Sequence, residues 1–325
     1  MIDRRQFVGA GALLTAGLPM ARAQGPDKPV RILVGFPPGG SADLLARALA
    51  QQLGRYASTV IVDNKPGAGG RIALELLKSS PADGTVLAIS PASMIVVYPH
   101  LYRRLSYQPQ RDFLPVARLA SAQFVITVGP MVPASVRTLA DFAVWCKANP
   151  SQAAYGSSGA GSVPHFTGVE LGKVAGLGWT HVAYKGAAPA LNDLLGGQVA
   201  ANVGVISNAL PHLQAGRLRA LAVSGPVRSA LLPEVPTLAQ AGFAQALAVE
   251  WFGVFLPVAA SPDVALRLNA AVREALQAKA LQEVLAKAAF EPGGQESPTE
   301  FTQLLRTDHE RWGAVVRASG FTPED

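Results

Sequence analysis

The chain contains few cysteines and few charged residues, and both scarcities exclude classes of protein. Cys146 is the single cysteine among 325 residues, so no internal disulfide can form and we expect a buried thiol. Charged residues make up 15% of the chain, and the cationic ones are scattered without interleaved aromatic residues. This pattern argues against nucleic-acid binding. Beyond the first 23 residues, no apolar run approaches the roughly 20 residues that a membrane-spanning helix needs.

Sequence motifs for catalysis and for metal binding are also missing. The five histidines are isolated, with neither a His-x-x-x-His pair nor a pair of cysteines, so we expect no metal and no cofactor. The residues Gly156-Ser157-Ser158-Gly159 have the wrong spacing for the Gly-x-Ser-x-Gly turn of serine hydrolases. We therefore expect no catalytic residue. A secreted hydrolase that uses Ser158 or Ser162 with His165 as its base is the unfavoured alternative.

Residues 1–23 have the features of an export signal. Arg4 and Arg5 precede a short apolar stretch and resemble a twin-arginine signal, although Asp3 stands where Ser or Thr is more usual. Small residues at Ala21 and Ala23 predict cleavage near Ala23, which would place the mature protein in the periplasm. Loss of three Arg and one Asp with this segment lowers the formal net charge from +6 to +4.

The length and the order of apolar segments predict two α/β lobes. Short apolar strands alternate with Gly or Pro turns and amphipathic helices, which indicates parallel sheets covered by helices. Residues 119–128 form a long apolar strand that we expect to cross between the lobes, and residues 250–256 form the expected return strand. The predicted boundaries are residues 24–126 and 250–325 for lobe 1 and residues 127–249 for lobe 2.

The first strand, turn and helix predict an anion site. Residues 30–36 form an apolar strand, Pro37-Pro38-Gly39-Gly40-Ser41 form the turn, and a helix is expected over residues 43–53. Glycines let backbone amides approach a ligand closely, and the positive end of the helix dipole favours an anion. The third glycine of a dinucleotide site and the Lys-Ser/Thr of a Walker loop are missing. The alternative is that Ser41 is an ordinary helix N-cap.

A second loop of the same kind lies in the predicted lobe 2. Residues 157–162 supply hydroxyl groups and glycine amides at the start of a helix expected over residues 163–174. Ligands of open α/β sheets collect at the carboxyl ends of strands, where Ser90 and Ser93 are also expected. Two such loops, one in each lobe, would close on one small anion as in a hinged solute receptor.

Several segments, in order between Lys28 and Gly320, resemble the Bug receptors, which are the periplasmic substrate-binding subunits of tripartite tricarboxylate transporters. These segments are residues 28–34, 38–43, 63–70, 101–107, 155–159, 181–190, 194–198, 216–223 and 235–237. The resemblance implies a two-lobed Venus flytrap of the type II periplasmic-binding-protein fold that captures a small carboxylate and is not an enzyme. It implies a membrane permease as partner, with the sensor kinase of a two-component system as the alternative; we expect a monomer.

The predicted ligand contacts come from these loops and from the resemblance together. They are Pro38, Gly39, Gly40, Ser41, Asp43, Ser90, Ser93, Ser157, Ser158, Gly161, Ser162, Tyr184, Lys185, Gly186, Asn202 and Gly204.

Two departures from the family pattern bear on the ligand. Where the family commonly has two Asp residues facing the cleft, this chain has Ala200 and Gly204, with Asn202 between them. The usual Ser-Thr-His after the third strand is Ser93-Met94-Ile95 here, which predicts a more apolar wall. Both departures favour an acid with a neutral tail or an aromatic acid over an amino acid, since no carboxylate is expected to meet a ligand ammonium group.

Overall fold

The computed structural model describes residues 26, 28–294 and 296–321. The predicted export signal lies outside these residues. Within them, no helix is both long enough and apolar enough to span a membrane.

The described chain contains ten strands and ten α-helices, together with four short 3-10 or π-helical segments. The strands are β1 (Val30–Val34), β2 (Val60–Asn64), β3 (Val86–Pro91), β4 (Phe113–Val128), β5 (Ala154–Ser157), β6 (Thr180–Ala183), β7 (Ala201–Val205), β8 (Arg219–Val223), β9 (Val249–Pro257) and β10 (Phe290–Pro292). The helices are α1 (Ser41–Ala50), α2 (Arg71–Lys78), α3 (Pro109–Asp112), α4 (Leu139–Ala148), α5 (Val163–Ala175), α6 (Ala187–Leu195), α7 (Ile206–Gln214), α8 (Pro262–Gln277), α9 (Lys279–Lys287) and α10 (Pro298–Ser319).

The strands form a curled path in the order β2-β1-β3-β9-β4-β7-β5-β6. Strands β1, β2 and β3 are parallel, as are β5, β6 and β7, and each group has helices between its strands. Strand β9 enters antiparallel between β3 and β4. The two groups are the sheets of two α/β lobes, as the alternation of strands and helices predicted.

Strand β4 belongs to both sheets, which confirms the predicted crossing strand. Its residues 113–123 pair with β9, and its residues 124–128 pair with β7 and β8. We call the side that contains β9 lobe 1 and the side that contains β7 lobe 2. The buried Ser224 joins the two crossing segments, because its Oγ accepts the Phe124 N–H at 2.9 Å and donates to the Ala248 carbonyl at 2.6 Å.

The core lies under both sheets and continues beneath α10. Strand β3 is buried along its whole length, as expected for a parallel strand covered on both faces. Phe301 and Trp312 of α10 are buried in lobe 1, where Phe301 meets Trp251 edge to face. Cys146 is buried, as predicted, and burial raises the pKa of its thiol to about 11. The thiol is therefore protonated at neutral pH.

Candidate functional site

A deep cleft separates the two lobes, and both lobes line it. It contains about 890 Å³ of space free of atoms, counted outward into open solvent. Its apolar wall is formed by Phe36, Pro37, Pro38, Ala42, Pro91, Pro164, Leu191, Val203, Val205 and Phe252, among others. Its polar groups come from Ser41, Ser93, Tyr98, Ser158, Ser162, Lys185, Asn202, Asn208 and Glu250. This combination suits a ligand with one polar end and an apolar body.

Helix α1 begins at the cleft with its first amides free of a side-chain cap. Gly40 is the N-cap residue, and the first intrahelical bond is made by the Leu44 N–H to the Gly40 carbonyl at 3.0 Å. The N–H groups of the preceding residues therefore have no partner within the helix. The backbone of Gly40 is extended, with a φ of −83°, whereas Gly39 has a φ of +89°. The glycine required by a left-handed conformation is thus Gly39, not Gly40.

Asp43 lies behind the turn and not in the cleft, although we predicted it as a ligand contact. Its Oδ2 accepts the Gly39 N–H and the Arg47 Nε, each at 2.9 Å, and its Oδ1 accepts Asn64 Nδ2 at 3.0 Å. Burial alone would raise the pKa of Asp43, but these hydrogen bonds outweigh burial and lower the pKa below its usual value. The carboxylate therefore holds the turn in shape from the inside.

Ser41 is not the helix N-cap, so the alternative interpretation of the opening motif is wrong. It is the first residue of α1, and its hydroxyl crosses the cleft to lobe 2. There it lies 2.8 Å from Ser207 Oγ and donates to Asn208 Oδ1 at 3.2 Å. Sequence reasoning missed Ser207 and Asn208, although two adjacent polar residues shortly after strand β7 were a usable signal.

Lobe 2 brings two more helix starts to the cleft. Helix α6 begins after Gly186, which has a φ of 110°, and α7 begins after Val205. In the described chain, no side chain caps either helix. Together with α1, three helices direct unpaired N–H groups and the positive ends of their dipoles at one cleft. Such convergence stabilises a bound carboxylate through charge-assisted hydrogen bonds.

The serine loop before α5 is different, because the hydroxyl groups of Ser157 and Ser162 already have hydrogen-bond partners in the protein. Ser162 is the N-cap of α5: its Oγ accepts the His165 N–H at 3.3 Å and donates to the Gly159 carbonyl at 2.7 Å. Ser157 is fully buried, with its Oγ 2.8 Å from His181 Nε2. Ser158 and Ser162 line the cleft, whereas Ser157 and Gly161 lie beneath it.

The histidines behind this loop are packed, not arranged for catalysis. The imidazole rings of His165 and His181 stack with their centroids 3.9 Å apart. Burial lowers the pKa of His165 to about 4; burial and the neighbouring His165 lower that of His181 to about 3. Nδ1 of His165 accepts the Gly161 N–H at 3.0 Å, and within the described chain its ring makes no hydrogen bond to Ser158 or Ser162. The geometry gives no support to the hydrolase alternative.

The end of strand β3 forms part of the lobe 1 wall in an unexpected way. Ser93 lines the cleft, and its Oγ accepts the Val163 N–H of lobe 2 at 2.9 Å. Ser90 is buried and donates to the Pro91 carbonyl at 3.0 Å, so it does not reach the cleft. Met94 and Ile95 are also buried away from the cleft. The expectation that these two residues make the wall apolar is wrong, because the turn after Ser93 directs them into the core.

Glu250 is a cleft residue that sequence reasoning missed. It lies in β9 and is 4% exposed, and its Oε1 accepts the Ala92 N–H at 3.0 Å. Burial raises the pKa of its carboxyl group to about 8. The cleft therefore contains a carboxyl group that the sequence analysis did not predict. A single acidic residue in an otherwise apolar nine-residue strand was the available signal.

Most of the predicted residues line one cleft. The residues at the cleft are Pro38, Gly40, Ser41, Ser93, Ser158, Ser162, Lys185, Gly186, Asn202 and Gly204. Those that do not line it are Gly39, Asp43, Ser90, Ser157, Gly161 and Tyr184. Tyr184, for example, donates its hydroxyl to Asp193 Oδ2 at 2.8 Å and packs under Gly156.

Solved structures with this architecture are receptors of the periplasmic solute-binding class. R. palustris Rpa4515 with adipate is 31% identical, with a TM-score of 0.86 over 91% of this chain and 98% of that chain. The periplasmic binding protein BugD is 26% identical, with a TM-score of 0.86 over 92% of this chain and 100% of that one. MatC from Rhodopseudomonas palustris with bound malate is 28% identical, with a TM-score of 0.81 over 88% of this chain and 98% of that chain.

Residues 42–321 match the tripartite tricarboxylate transporter family receptor, TctC. BugT of Bordetella pertussis is 34% identical over 95% of this chain and 95% of its own length. A protein from the tcbD-tcbE intergenic region of Pseudomonas sp. strain P51 is 32% identical over 97% of this chain and 94% of its own length. The chain belongs to the TctC family of receptors, as the resemblance to Bug receptors predicted.

Proposed function

We propose that this protein captures a small organic carboxylate between its lobes and delivers it to the permease of a tripartite tricarboxylate transporter. The observation that carries the proposal is the convergence of three uncapped helix starts, those of α1, α6 and α7, on one cleft. Family membership and the structures of relatives with adipate and malate support the same ligand class. The family also supports a periplasmic location and a role without catalysis.

The cleft favours an acid with a neutral or aromatic body over an amino acid. Phe36, Phe252 and several prolines supply apolar surface, and Gly204 presents no side chain where the family commonly has Asp. A ligand ammonium group buried here without a charged partner would lose several kcal/mol of hydration, roughly. Glu250 removes only part of this penalty at neutral pH, because ionising a carboxyl group with a pKa of about 8 costs about 1.4 kcal/mol at pH 7.

Mass spectrometry of the purified protein under native conditions, followed by calorimetry, tests the proposal. We expect a retained organic acid and micromolar or tighter binding of at least one acid from a set of adipate, malate, hexanoate, benzoate and aspartate. Aspartate should bind most weakly of the acids that share its length. Absence of binding by every acid, in protein stripped of ligand by refolding, would contradict the proposal.

The lobes are proposed to close around the ligand as bodies that meet where β4 passes from β9 to β7, at residues 123/124, and where β9 begins at Val249, close to the predicted bounds of 126/127 and 249/250. The double crossing at β4 and β9, joined through Ser224, supports a hinge at this place. Small-angle scattering of the monomer should show a smaller radius of gyration with saturating ligand. An unchanged radius would count against closure.

The export route is proposed from residues 1–23. A double Arg→Lys change at Arg4 and Arg5 should stop export of the chain, and N-terminal sequencing of the periplasmic form should begin at or next to Gln24. Normal export of the double variant would indicate an ordinary secretory signal instead.

A further inference from the structure

Glu250 is an acid buried without a compensating cation. Within the described residues, no Lys or Arg forms an ion pair with it. The charged group that acts on it is Asp308 of α10, a like charge that accepts Trp251 Nε1 at 2.7 Å. Arg118 of β4 acts on Asp308, while Lys185 and Tyr98 are further titratable side chains of the cleft wall. Taking an uncompensated carboxylate out of water is unfavourable, so the neutral acid is the favoured form.

The neutral acid accepts the backbone N–H groups of Ala92 and Trp251 and still has one proton to donate. Oε1 accepts the Ala92 N–H, and Ala92 lies between Pro91 and Ser93, which both line the cleft. The backbone thus fixes the carboxyl group at the cleft wall, on the lobe that also carries Gly40. A proton on the other oxygen makes this group a hydrogen-bond donor at the cleft.

We propose that Glu250 is a specificity-determining residue that donates a hydrogen bond from its protonated carboxyl group to an acceptor oxygen of the bound acid. This inference rests on the proposed function. Ionised Glu250 would place a second negative charge beside the bound anion and would lose the donor. Ligand binding and retention of this proton are therefore coupled, and each strengthens the other.

The coupling predicts affinity that falls as the pH rises. With a carboxyl pKa of about 8, roughly one tenth of the molecules carry the proton at pH 9, so affinity should be about tenfold weaker at pH 9 than at pH 6.5. Glu250→Gln keeps an N–H donor and an oxygen for Ala92, but it does not titrate. Its affinity should change less than about twofold over the same range.

Calorimetry with adipate, malate, hexanoate and benzoate at both pH values tests the proposal, using the acid that binds most tightly at pH 6.5. The exposed Glu291→Gln is the matched control and should show the pH dependence of the unchanged protein. Titration of the unchanged protein at pH 8.5 in two buffers of different ionisation enthalpy should show proton uptake on binding. The measurement of proton uptake tests the proposal even if Glu250→Gln does not fold.

The outcomes separate the inference from the proposed function. Equal pH dependence in the unchanged protein and in Glu250→Gln would overturn the inference, as would binding without proton uptake. Either result would leave the proposed function, capture of a carboxylate, uncontradicted. Binding of none of the four acids at either pH would contradict the proposed function itself.

Discussion

The loops that begin α1 and α5 have similar sequences and opposite structures. Both place glycine and serine at the start of a helix, one in each lobe. At α1 the side chains stay out of the helix start, and Asp43 shapes the turn from behind. At α5 the hydroxyl groups of Ser157 and Ser162 bond to the loop itself and to His181. A serine-rich helix start offers donors to a ligand only where its own loop has not already used them.

The largest loss of affinity is expected for a side chain added at Gly40, in the loop that begins α1. A Cβ at Gly40 has only the Pro37 carbonyl oxygen in reach, at 3.8 Å, and the extended backbone accepts any residue. Gly40→Val should therefore fold normally and fill the space of the ligand carboxylate. Loss of one or two charge-assisted hydrogen bonds should weaken binding by on the order of ten- to a thousand-fold in calorimetry.

The matched control for Gly40→Val is Gly54→Val. Gly54 also has open space around its Cβ position, and it lies beyond the far end of α1. This control should bind with unchanged affinity. A folded Gly40→Val protein with full affinity would remove the anion site from the α1 loop.

Removal of the Ser41 hydroxyl should have the next largest effect. Ser41→Ala deletes the contacts across the cleft to Ser207 and Asn208 without removing a helix cap. We expect affinity to fall by about tenfold, for one lost hydrogen bond of roughly 1.5 kcal/mol, with little change in thermal stability. A lower melting temperature with unchanged affinity would mean that Ser41 serves structure instead.

The corresponding change in the α5 loop, Ser162→Ala, should lower thermal stability and leave affinity nearly unchanged. Ser162→Ala removes the N-cap of α5 and the bond to the Gly159 carbonyl. Loss of a cap destabilises a protein by roughly 1 kcal/mol, which lowers the melting temperature by about 2 °C at this size. Affinity should change by less than about threefold. A loss of affinity as large as that of Ser41→Ala would make the two loops equivalent.

The smallest effect is expected for Arg47→Ala. Arg47 supports Asp43 from the exposed side, but Asn64 and the Gly39 N–H also hold that carboxylate. The guanidinium of Arg47 is exposed and its attraction to Asp43 is screened by solvent, so affinity at pH 7 should fall by less than about threefold. Because Arg47 helps to lower the pKa of Asp43, the variant should lose the turn at a higher pH during acid titration. A binding curve measured from pH 7 downward checks both expectations.

Much of the fold follows from local patterns. Alternating apolar strands and amphipathic helices predicted the two sheets. The length of the apolar run over residues 119–128 predicted the crossing strand. The predicted helix over residues 43–53 begins two residues earlier in the structure, at Ser41. The N-cap was also predicted at the wrong residue. The turn geometry depends on Asp43 and Asn64 and not on the serine alone.

The cleft was only partly predictable, because side-chain direction depends on packing between distant segments. Gly40, Ser41 and Lys185 were found from glycine turns and from the family resemblance. Ser207 and Asn208 were missed because their position opposite α1 depends on contact between the two lobes. Glu250 was missed because its position beside Ala92 depends on the pairing of β9 with β3.

The most direct test of the account is a crystal structure with the acid that binds most tightly in calorimetry. We predict that one ligand carboxylate oxygen lies about 3 Å from the backbone nitrogens at the start of α1, at Ser41 or Ala42, with the N-termini of α6 and α7 facing the same group. A carboxylate held by the hydroxyl groups of residues 157–162, and away from α1, would contradict it.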